Sequence, residues 1–295
     1  MARWLPAPIA LPARAGRSAR LLSWDEVRVM GVVNVTPDSF SDGGRYLDAE
    51  AAIAHGVALW RAGADLLDVG GEATNPRAQP VSAEVEAARV VPVVAGLAAR
   101  TTAVLSVDTT KAAVAAAAVA AGADVVNDVS GGRFDPAILA ATDDAGAAYV
   151  CGHLRGASLA EVFAAEAPIG WRVVADELAE RLAAMPAALR ARTIVDPGLG
   201  FGKGADGHGN AALIAHAGDL AHALDRPVLV GPSRKRFIAR LAGGDARALD
   251  AGTVGACLAA VAAGAQVVRT HDVSLLRPAL AVYTAIERAR SPEHD

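Results

Sequence analysis

The side chains best suited to chemistry in this sequence are acids, amides and cations that come directly after short apolar runs. Eight such runs are followed, in chain order, by Asn34; Glu72 and Thr74; Asp108; Asn127 and Asp128; His153 and Arg155; Asp196; Ser233, Arg234 and Lys235; and Arg269, His271 and Asp272. A single polar residue in such a position is most often only the cap of the following helix. Eight in succession exceed what capping requires, because aspartate and asparagine recur where buried strands would end. The pattern therefore predicts a functional site assembled from strand ends.

Three of these residues suit the recognition of a flat heterocycle. Asp108, Asn127 and Asp196 place carboxylates and an amide at the ends of rigid strands. A carboxylate can accept two N–H bonds at once, so this set can read an amino-amide edge. Lys235 adds a point charge on a flexible stem, which suits a carbonyl oxygen or a ring nitrogen of the same ligand.

A second set of residues suits a phosphate. Asn34, Arg269 and His271 are donors or neutral hydrogen-bonding groups that follow the first and last runs. Two of the acids have simpler structural interpretations: Asp128 can bond the turn that follows it, and Asp272 can cap the last helix. The polar residues thus divide into a heterocycle-binding set, a phosphate-binding set and structural groups.

Residues 30–44 read MGVVNVTPDSFSDGG and form the most informative stretch of the chain. Residues 30–33 are apolar and rich in β-branched side chains, which is typical of a strand buried on both faces. The polar, glycine-rich residues 36–44 cannot pack as core and are expected to form a solvated loop. A strand that presents one amide before such a loop suits the mouth of a parallel barrel. An ordinary connection between a strand and a helix would fit this composition equally well.

Short apolar runs alternate with longer alanine-rich stretches along the chain. The runs are residues 29–33, 65–69, 103–107, 124–126, 147–151, 193–195, 227–230 and 266–268, and the stretches 49–62, 82–100, 111–121 and 272–289 have helical spacing. About eight strand-then-helix units in roughly 260 residues predict an α/β fold, the (β/α)8 TIM barrel, as a single domain. A doubly wound open sheet is the alternative, and it is disfavoured because no G-x-G-x-x-G follows the first run. Residues 157–191 are long enough for two helices, and we interpret them as one elaborated unit.

Bulk composition limits the function classes. The chain has 295 residues and a net charge of −4, which argues against a nucleic-acid surface because such a surface needs clustered lysine and arginine. No apolar run reaches the ~20 residues that a membrane helix needs. The distant cysteines Cys151 and Cys257 form neither a disulfide framework nor a metal-binding pair, which favours a reducing cytoplasm. Residues 1–27 are expected to be an N-terminal extension, partly disordered or a short strand, and residues 28–290 to form the barrel.

The motifs at these positions resemble the dihydropteroate synthases, a family of pterin-binding TIM barrels. They are MGVVNVTPDSFSDGG at 30–44, GADLLDVGGEAT at 63–74, SVDTTK at 106–111, AGADVVNDVSGG at 121–132, DPGLGFGK at 196–203, GPSRKRFI at 231–238 and VVRTHDV at 267–273. The resemblance covers nearly the whole chain after residue 27. The first motif and the SRK triplet are specific to the synthase, whereas the Asp and Asn at strand ends are shared with pterin-using methyltransferases.

The resemblance implies a reaction. A dihydropteroate synthase joins 6-hydroxymethyl-7,8-dihydropterin pyrophosphate to p-aminobenzoate, which releases pyrophosphate and forms 7,8-dihydropteroate in folate biosynthesis. Carbon–oxygen cleavage would come first and give a pterin cation, which the amine then attacks. The resemblance also implies a homodimer and a sulfonamide target.

The same resemblance assigns roles to residues. It implies pterin binding by Asp108, Asn127, Asp196 and Lys235; pyrophosphate binding by Asn34, Thr74, Arg269 and His271; Mg²⁺ binding at Asn34; and a p-aminobenzoate subsite at Ser233 and Lys235. Asp108, Asp196 and Lys235 would be the catalytic residues, because the two acids would stabilise the cation electrostatically. The loops after the first two strands would close over the pyrophosphate.

The second loop departs from the family pattern. Where the family reads G-G-E-S-T-R-P-G, this chain has Ala73 and Asn75 in place of the serine and the arginine. Asparagine cannot supply a bidentate cation, although Arg77 could replace the lost arginine if the loop bends back. Leu154 also replaces a methionine that would pack on the pterin ring.

These departures leave two alternatives open beside an active synthase. One is a pterin-binding paralogue with weak or no synthase activity. The other, less favoured, is a pterin methyl-transfer enzyme, which would have no use for the segments that bind pyrophosphate.

Overall fold

A computed structural model of the chain describes residues 5–14, 16–35, 44–74, 79–165, 167–204 and 207–290. The strands are β1 (Ile9–Leu11), β2 (Arg20–Leu22), β3 (Arg28–Asn34), β4 (Leu66–Gly70), β5 (Val104–Asp108), β6 (Val125–Asp128), β7 (Ala148–Gly152), β8 (Thr193–Asp196), β9 (Leu229–Val230) and β10 (Val267–Thr270). The helices are α1 (Gly44–Arg61), α2 (Ala83–Arg100), α3 (Ala112–Ala120), α4 (Ala137–Asp144), α5 (Leu159–Ala164), α6 (Trp171–Ala184), α7 (Ala187–Ala191), α8 (His208–Ala215), α9 (Ala217–Leu224), α10 (Arg236–Ala242), α11 (Ala246–Ala262) and α12 (Val273–Ala289).

The strands β3 to β10 form one parallel sheet in the order β8-β7-β6-β5-β4-β3-β10-β9. The sheet closes on itself between its two ends, because Val195 on β8 forms a parallel bridge with Val228 and donates its N–H to the Pro227 carbonyl at 2.9 Å. Helices follow the strands around the outside, so the prediction of a (β/α)8 TIM barrel is confirmed. The unit predicted at residues 157–191 holds α5, α6 and α7 between β7 and β8.

Each barrel strand divides its side chains between two environments, because successive residues on a strand point to opposite faces. Outward-facing side chains such as Val33, Val69 and Val107 pack in a large core between the sheet and the helices. Inward-facing side chains fill the barrel, among them Met30, Leu66, Val104, Val125, Ile194 and Val267. Two or four residues later on each of these strands, the inward-facing residue is polar: Asn34, Asp68, Asp108, Asn127, Asp196 and Arg269. The interior therefore changes from apolar at the start of the strands to polar at their carboxyl ends.

An N-terminal hairpin closes the apolar end of the barrel. β1 and β2 pair antiparallel, and Ile9, Leu11, Leu22 and Trp24 are buried against the interior residues at the strand starts. Asp124, whose side chain is 2% exposed, forms ion pairs with both Arg17 and Arg20 of the same N-terminal segment. The hairpin thus completes the core at the end opposite the polar mouth.

The two cysteines are buried as free thiols, and burial raises the pKa of each to about 12. Neither is therefore suited to act as a nucleophile near neutral pH. Of the helices in the described ranges, none is both long and apolar enough to cross a membrane.

The hairpin gives a direct test of its packing role. We expect Leu22→Ala to lower the free energy of unfolding by about 2–5 kcal/mol, because it leaves a cavity at the closed end of the barrel. Leu21 is the matched control, since it precedes Leu22 in the same strand and is 62% exposed. Leu21→Ala should change the free energy of unfolding by less than about 0.5 kcal/mol. Urea unfolding followed by circular dichroism measures both, and equal losses would contradict the packing role of Leu22.

Candidate active site

The residues predicted from the sequence meet at the mouth of the barrel. A cavity of about 430 Å³ is lined by seven of them: Asn34, Thr74, Asp108, Ser233, Lys235, Arg269 and His271. The other two predicted residues, Asn127 and Asp196, do not line this cavity; they lie at the carboxyl ends of β6 and β8, the two strands on either side of β7. The described part of the second loop reaches the cavity through Glu72, Ala73 and Thr74.

An arginine links the acids of two strands across the inside of the barrel. Arg269 on β10 donates from Nε to Asp68 Oδ2 at 2.7 Å and from Nη2 to Asp108 Oδ2 at 2.9 Å. Asn127 on β6 donates from Nδ2 to the same Asp68 oxygen at 2.8 Å. Asp68 is completely buried, and its Oδ1 has no hydrogen-bond partner in the described part of the chain. Four residues from four strands therefore share one buried network.

Asp68 was not predicted as a site residue. It lies inside the apolar run LLDVG instead of after it, so a search of strand ends passes over it. The available signal was a charged residue at an inward-facing position of a strand that is otherwise buried on both faces.

Asp68 also fixes the direction of the Asn127 amide. A carboxylate can only accept hydrogen bonds, so Asn127 must turn its Nδ2 toward Asp68. This leaves the Asn127 Oδ1 as an acceptor for a ligand N–H. Arg269 keeps donors for a ligand as well, because a guanidinium has five N–H groups and only two of them bond the acids.

Burial raises the pKa values of two acids at the mouth and lowers that of a lysine. Burial raises the pKa of Asp108 to about 7, the negative charge of Asp68 adds to the rise, and Arg269 opposes it. Burial also raises the pKa of Asp196. The Gly198 N–H, which donates to Asp196 Oδ1 at 2.7 Å, acts in the opposite direction and lowers that pKa. Enclosure lowers the pKa of Lys235 to about 8, and Arg269 lowers it further. Both acids and the lysine can therefore respond to a charged ligand.

The loop after β8 is built around a buried lysine. Lys203 is 2% exposed and donates to the carbonyls of His153 at 3.1 Å and Phe201 at 3.0 Å, and burial lowers its pKa to about 7. Gly198 adopts φ 72°, and a Cβ there would lie 1.8 Å from the His153 carbonyl oxygen, so only glycine fits. Phe201 packs beside Lys235, whose Nζ lies 4.2 Å from its ring centroid.

Two predicted residues with different expected roles touch one another. His271 Nδ1 and Ser233 Oγ are 2.9 Å apart, and the His271 backbone N–H donates to the same hydroxyl at 3.2 Å. Burial lowers the pKa of His271 to about 3, and the nearby Arg269 acts in the same direction. His271 is therefore a neutral hydrogen-bonding group at physiological pH. Arg234, between Ser233 and Lys235, holds the left-handed φ of 58°, a strained conformation of the kind often found at functional sites.

Two acids act as structural groups, as the sequence indicated. Asp128 accepts hydrogen bonds from the Ser130 N–H and hydroxyl, the Gly132 N–H and the Tyr149 hydroxyl, so it shapes the turn after β6. Asp272 accepts from the Leu275 N–H at 3.1 Å and caps α12. Leu154, which stands for the family's methionine, is buried in a small cluster with Val162 and Phe201.

Several sequence predictions concern residues outside the described ranges. Of the proposed lid at residues 36–44, all but Gly44, which begins α1, lie there, as do the loop positions Asn75 and Arg77. Asn34 is described and lines the cavity as an exposed amide at the end of β3. Over the described residues, no three or more His, Cys, Asp and Glu side chains are grouped so as to hold a metal ion.

Known proteins resemble this chain over nearly its whole length. Residues 30–271 match the family described as pterin binding enzyme. The dihydropteroate synthase of Mycobacterium leprae (strain TN) is 46% identical over 275 residues, which cover 90% of this chain and 95% of that protein. The Xanthomonas albilineans dihydropteroate synthase solved with 4-aminobenzoic acid has a TM-score of 0.85 and 43% identity, covering 97% of this chain and 100% of that one. The structure from that organism in complex with 7,8-dihydropteroate has a TM-score of 0.79 and 42% identity, covering 96% and 100%.

The raised pKa of Asp108 predicts how pterin affinity depends on pH. Below its pKa of about 7 Asp108 is protonated and cannot accept two N–H bonds, so affinity should rise as the pH increases through that value. We expect a slope of up to about tenfold per pH unit below the midpoint. Calorimetric titration with a pterin that lacks pyrophosphate measures this without ionising phosphates. An affinity that stays constant from about pH 6 to about pH 8 would exclude Asp108 as the pterin acceptor.

Replacing Asp68 should change both the pterin affinity and its dependence on pH. We expect Asp68→Asn to weaken pterin binding by about tenfold, because it removes charge-assisted bonds that orient Asn127 and Arg269. It should also move the midpoint of the pH dependence to lower pH, because a like charge beside Asp108 is gone. Asp65→Asn, directly before β4 and away from the mouth, is the control and should leave the midpoint unchanged. Identical midpoints in both variants would contradict the coupling of Asp68 to Asp108.

Proposed function

The chain belongs to the pterin-binding enzyme family and, within it, to the dihydropteroate synthases, and from this we propose how its barrel mouth carries out the reaction. The protein is a transferase that condenses 6-hydroxymethyl-7,8-dihydropterin pyrophosphate with p-aminobenzoate to give 7,8-dihydropteroate and pyrophosphate. The observation that carries the proposal for the site is the shared cavity that gathers Asp108, Lys235, Arg269 and His271 at one end of the barrel.

The pterin would bind at the carboxyl ends of β5, β6 and β8. Asp108 and Asp196 would accept N–H groups of the ring, and Asn127 would accept one through the Oδ1 that Asp68 leaves turned away from itself. Lys235 would donate to a ring acceptor. This division is supported by the raised pKa values of Asp108 and Asp196, because a ligand that supplies N–H donors favours their ionised forms.

The pyrophosphate would lie on the other side of the cavity, against Asn34, Thr74, Arg269 and His271. Arg269 would supply the fixed cation. The Ser233 hydroxyl accepts the His271 backbone N–H and can donate its own hydrogen to His271 Nδ1, and in that tautomer the neutral His271 would donate from Nε2. The residues present fit Mg²⁺, because the single amide of Asn34 suits an ion that takes most of its ligands from phosphate oxygens and water. When bound, Mg²⁺ would neutralise charge on the leaving group.

The residues of this site fit a reaction in which bond cleavage precedes attack. As the bond between the pterin methylene carbon and the pyrophosphate oxygen breaks, positive charge develops on the pterin and negative charge on the leaving group. Asp108 and Asp196 would stabilise the first, and Arg269 the second. The amine of p-aminobenzoate would then attack the methylene carbon from the side of Ser233 and Lys235 and lose one proton to the released pyrophosphate or to water.

We also propose a homodimer and a cytoplasmic location. The exposed apolar side chains Leu275, Val282 and Ile286 recur on one face of α12, which supports an interface there. The two unpaired, buried cysteines are in keeping with a reducing compartment.

Turnover of the two substrates tests the proposed function. We expect equal amounts of 7,8-dihydropteroate and pyrophosphate, with loss of activity in a chelator and recovery on adding Mg²⁺. Asp108→Ala should lower kcat/KM by at least about a hundredfold, because it removes an electrostatic contact to the pterin cation. Asp219→Ala, on the outside of α9 with a side chain that is 59% exposed, is the matched control and should retain full activity.

Two outcomes would count against this proposal. Tight binding of the pterin pyrophosphate without any dihydropteroate would favour the non-catalytic paralogue. Near wild-type turnover by Asp108→Ala would overturn the assignment of the pterin site.

A further inference from the structure

A cluster of one lysine and two glutamates lies at the edge of the mouth and has no part in the chemistry described so far. Lys111, the residue before α3, forms ion pairs through Nζ with Glu72 and with Glu86. Glu72 belongs to the loop after β4, two residues before Thr74, and Glu86 lies in the first turn of α2. One ammonium thus joins three separate elements of the barrel.

The two carboxylates differ in burial, and this difference indicates which of them holds the lysine in place. The side chain of Glu86 is 1% exposed, whereas that of Glu72 is 17% exposed. Burial raises the pKa of Glu86, and Lys111 opposes that rise through a hydrogen bond. The Oε1 of Glu86 has no hydrogen-bond partner in the described part of the chain. Because a buried carboxylate requires a cation, Glu86 holds Lys111 in place, and Lys111 in turn holds the more exposed Glu72.

The backbone beside Glu72 is fixed as well. The Gly71 carbonyl accepts a hydrogen bond from Arg89 Nη1 on α2 at 2.8 Å. A Cβ on Gly71 would lie 2.8 Å from Val90 Cγ1 and 3.1 Å from Glu86 Cγ, so the loop packs directly against α2. Gly71 and Glu72 therefore form an anchored base from which Thr74 reaches the cavity.

The charge of the cluster matters for an anionic ligand. Two carboxylates face one ammonium, so the cluster carries net negative charge even with Lys111 present. Without the lysine, the charge of Glu72 would lie uncompensated beside the pyrophosphate side of the cavity, which Glu72 itself lines, whereas the buried Glu86 would be driven toward its neutral form. Loss of Lys111 would both release the loop and repel the ligand.

We propose that Lys111 is a positioning residue for the pyrophosphate half of the substrate, which acts by holding Glu72 and hence the Thr74 segment against α2. The inference rests on the proposed function, in which Thr74 binds the pyrophosphate. It assigns Lys111 no contact with either substrate. Asp108 is bonded by Arg269 and Asp196 by the Gly198 N–H, and neither bonds Lys111. The charge of Glu86 is only a smaller cause of the raised pKa of Asp108, so most of the effect should fall on the pyrophosphate half of the substrate.

Calorimetry with two ligands separates this role from a general structural one. We expect Lys111→Met to weaken binding of the pterin pyrophosphate by about tenfold or more, and binding of the same pterin without pyrophosphate by less than about threefold. Lys111→Arg should recover affinity to within about threefold of wild type, because arginine can still bridge two carboxylates. Arg100→Met is the matched control: it removes a cation from an ion pair with Glu50 near the other end of α2 and should change neither affinity.

A second variant separates positioning from charge alone. Glu72→Gln keeps the buried pair of Lys111 and Glu86 but weakens the hold on the loop. We expect it to lower the affinity for the pterin pyrophosphate, whereas a purely electrostatic role would raise that affinity because a negative charge is removed. It also serves if Lys111→Met does not fold.

In steady-state kinetics the Lys111→Met defect should appear mainly in KM for the pterin pyrophosphate, with a smaller change in kcat. Equal losses of affinity for both pterin ligands, or a gain of affinity in Glu72→Gln, would overturn the inference. Since binding is measured without turnover, a wild-type protein that binds but makes no dihydropteroate would count against the proposed function alone.

Discussion

The barrel mouth depends on one arginine placed between two buried acids. Arg269 reaches across the inside of the barrel and bonds Asp68 on β4 and Asp108 on β5. Two carboxylates at this depth would repel each other and one would stay protonated without a cation between them. Burial alone would lower the pKa of Arg269, and the two acids together raise it, so the guanidinium stays charged. The same cation therefore stabilises the two acids and keeps further N–H groups that could bond a phosphate.

This interaction is possible because of the alternation of side chains along the strands. The inward positions of β4 run from Leu66 to Asp68, and those of β10 from Val267 to Arg269. The apolar members fill the barrel together with the N-terminal hairpin, which excludes water from that end. The polar members then meet in an enclosed space where electrostatic interactions are stronger than in water. The raised pKa of Asp108 and the lowered pKa of Lys235 are consequences of that enclosure.

The parts of the site that were predictable from the sequence are those that end a strand. Asp108, Asn127, Asp196 and Arg269 follow apolar runs, and parallel strands bring their carboxyl ends to one face. Groups that depend on contacts between distant elements could not be predicted. Asp68 lies inside an apolar run, so a search of strand ends does not find it. The partners of Lys111 come from a loop and a helix, and the spacing of residues in the sequence does not show that these two elements pack together. The packing role of the hairpin could not be predicted either. Its few apolar residues become core only because they cover the apolar end of the barrel, opposite the mouth.

The departures of the second loop from the family pattern can be judged from how that loop is held. Its first residues, Gly71 and Glu72, are bonded to α2 and Lys111, and both match the family sequence. Ala73 and the changes beyond it come after this anchored base, so they leave the anchor intact. The lost loop arginine is not the only guanidinium available to the leaving group, because Arg269 is fixed by Asp68 and Asp108 with further N–H groups unused by those acids. A cation held in advance by buried acids needs little reorganisation when the pyrophosphate leaves, which is the condition under which electrostatic stabilisation contributes most to rate. On the proposed assignment, Arg269 on β10 would therefore still offer the leaving group a fixed cation, whatever the changed second loop contributes.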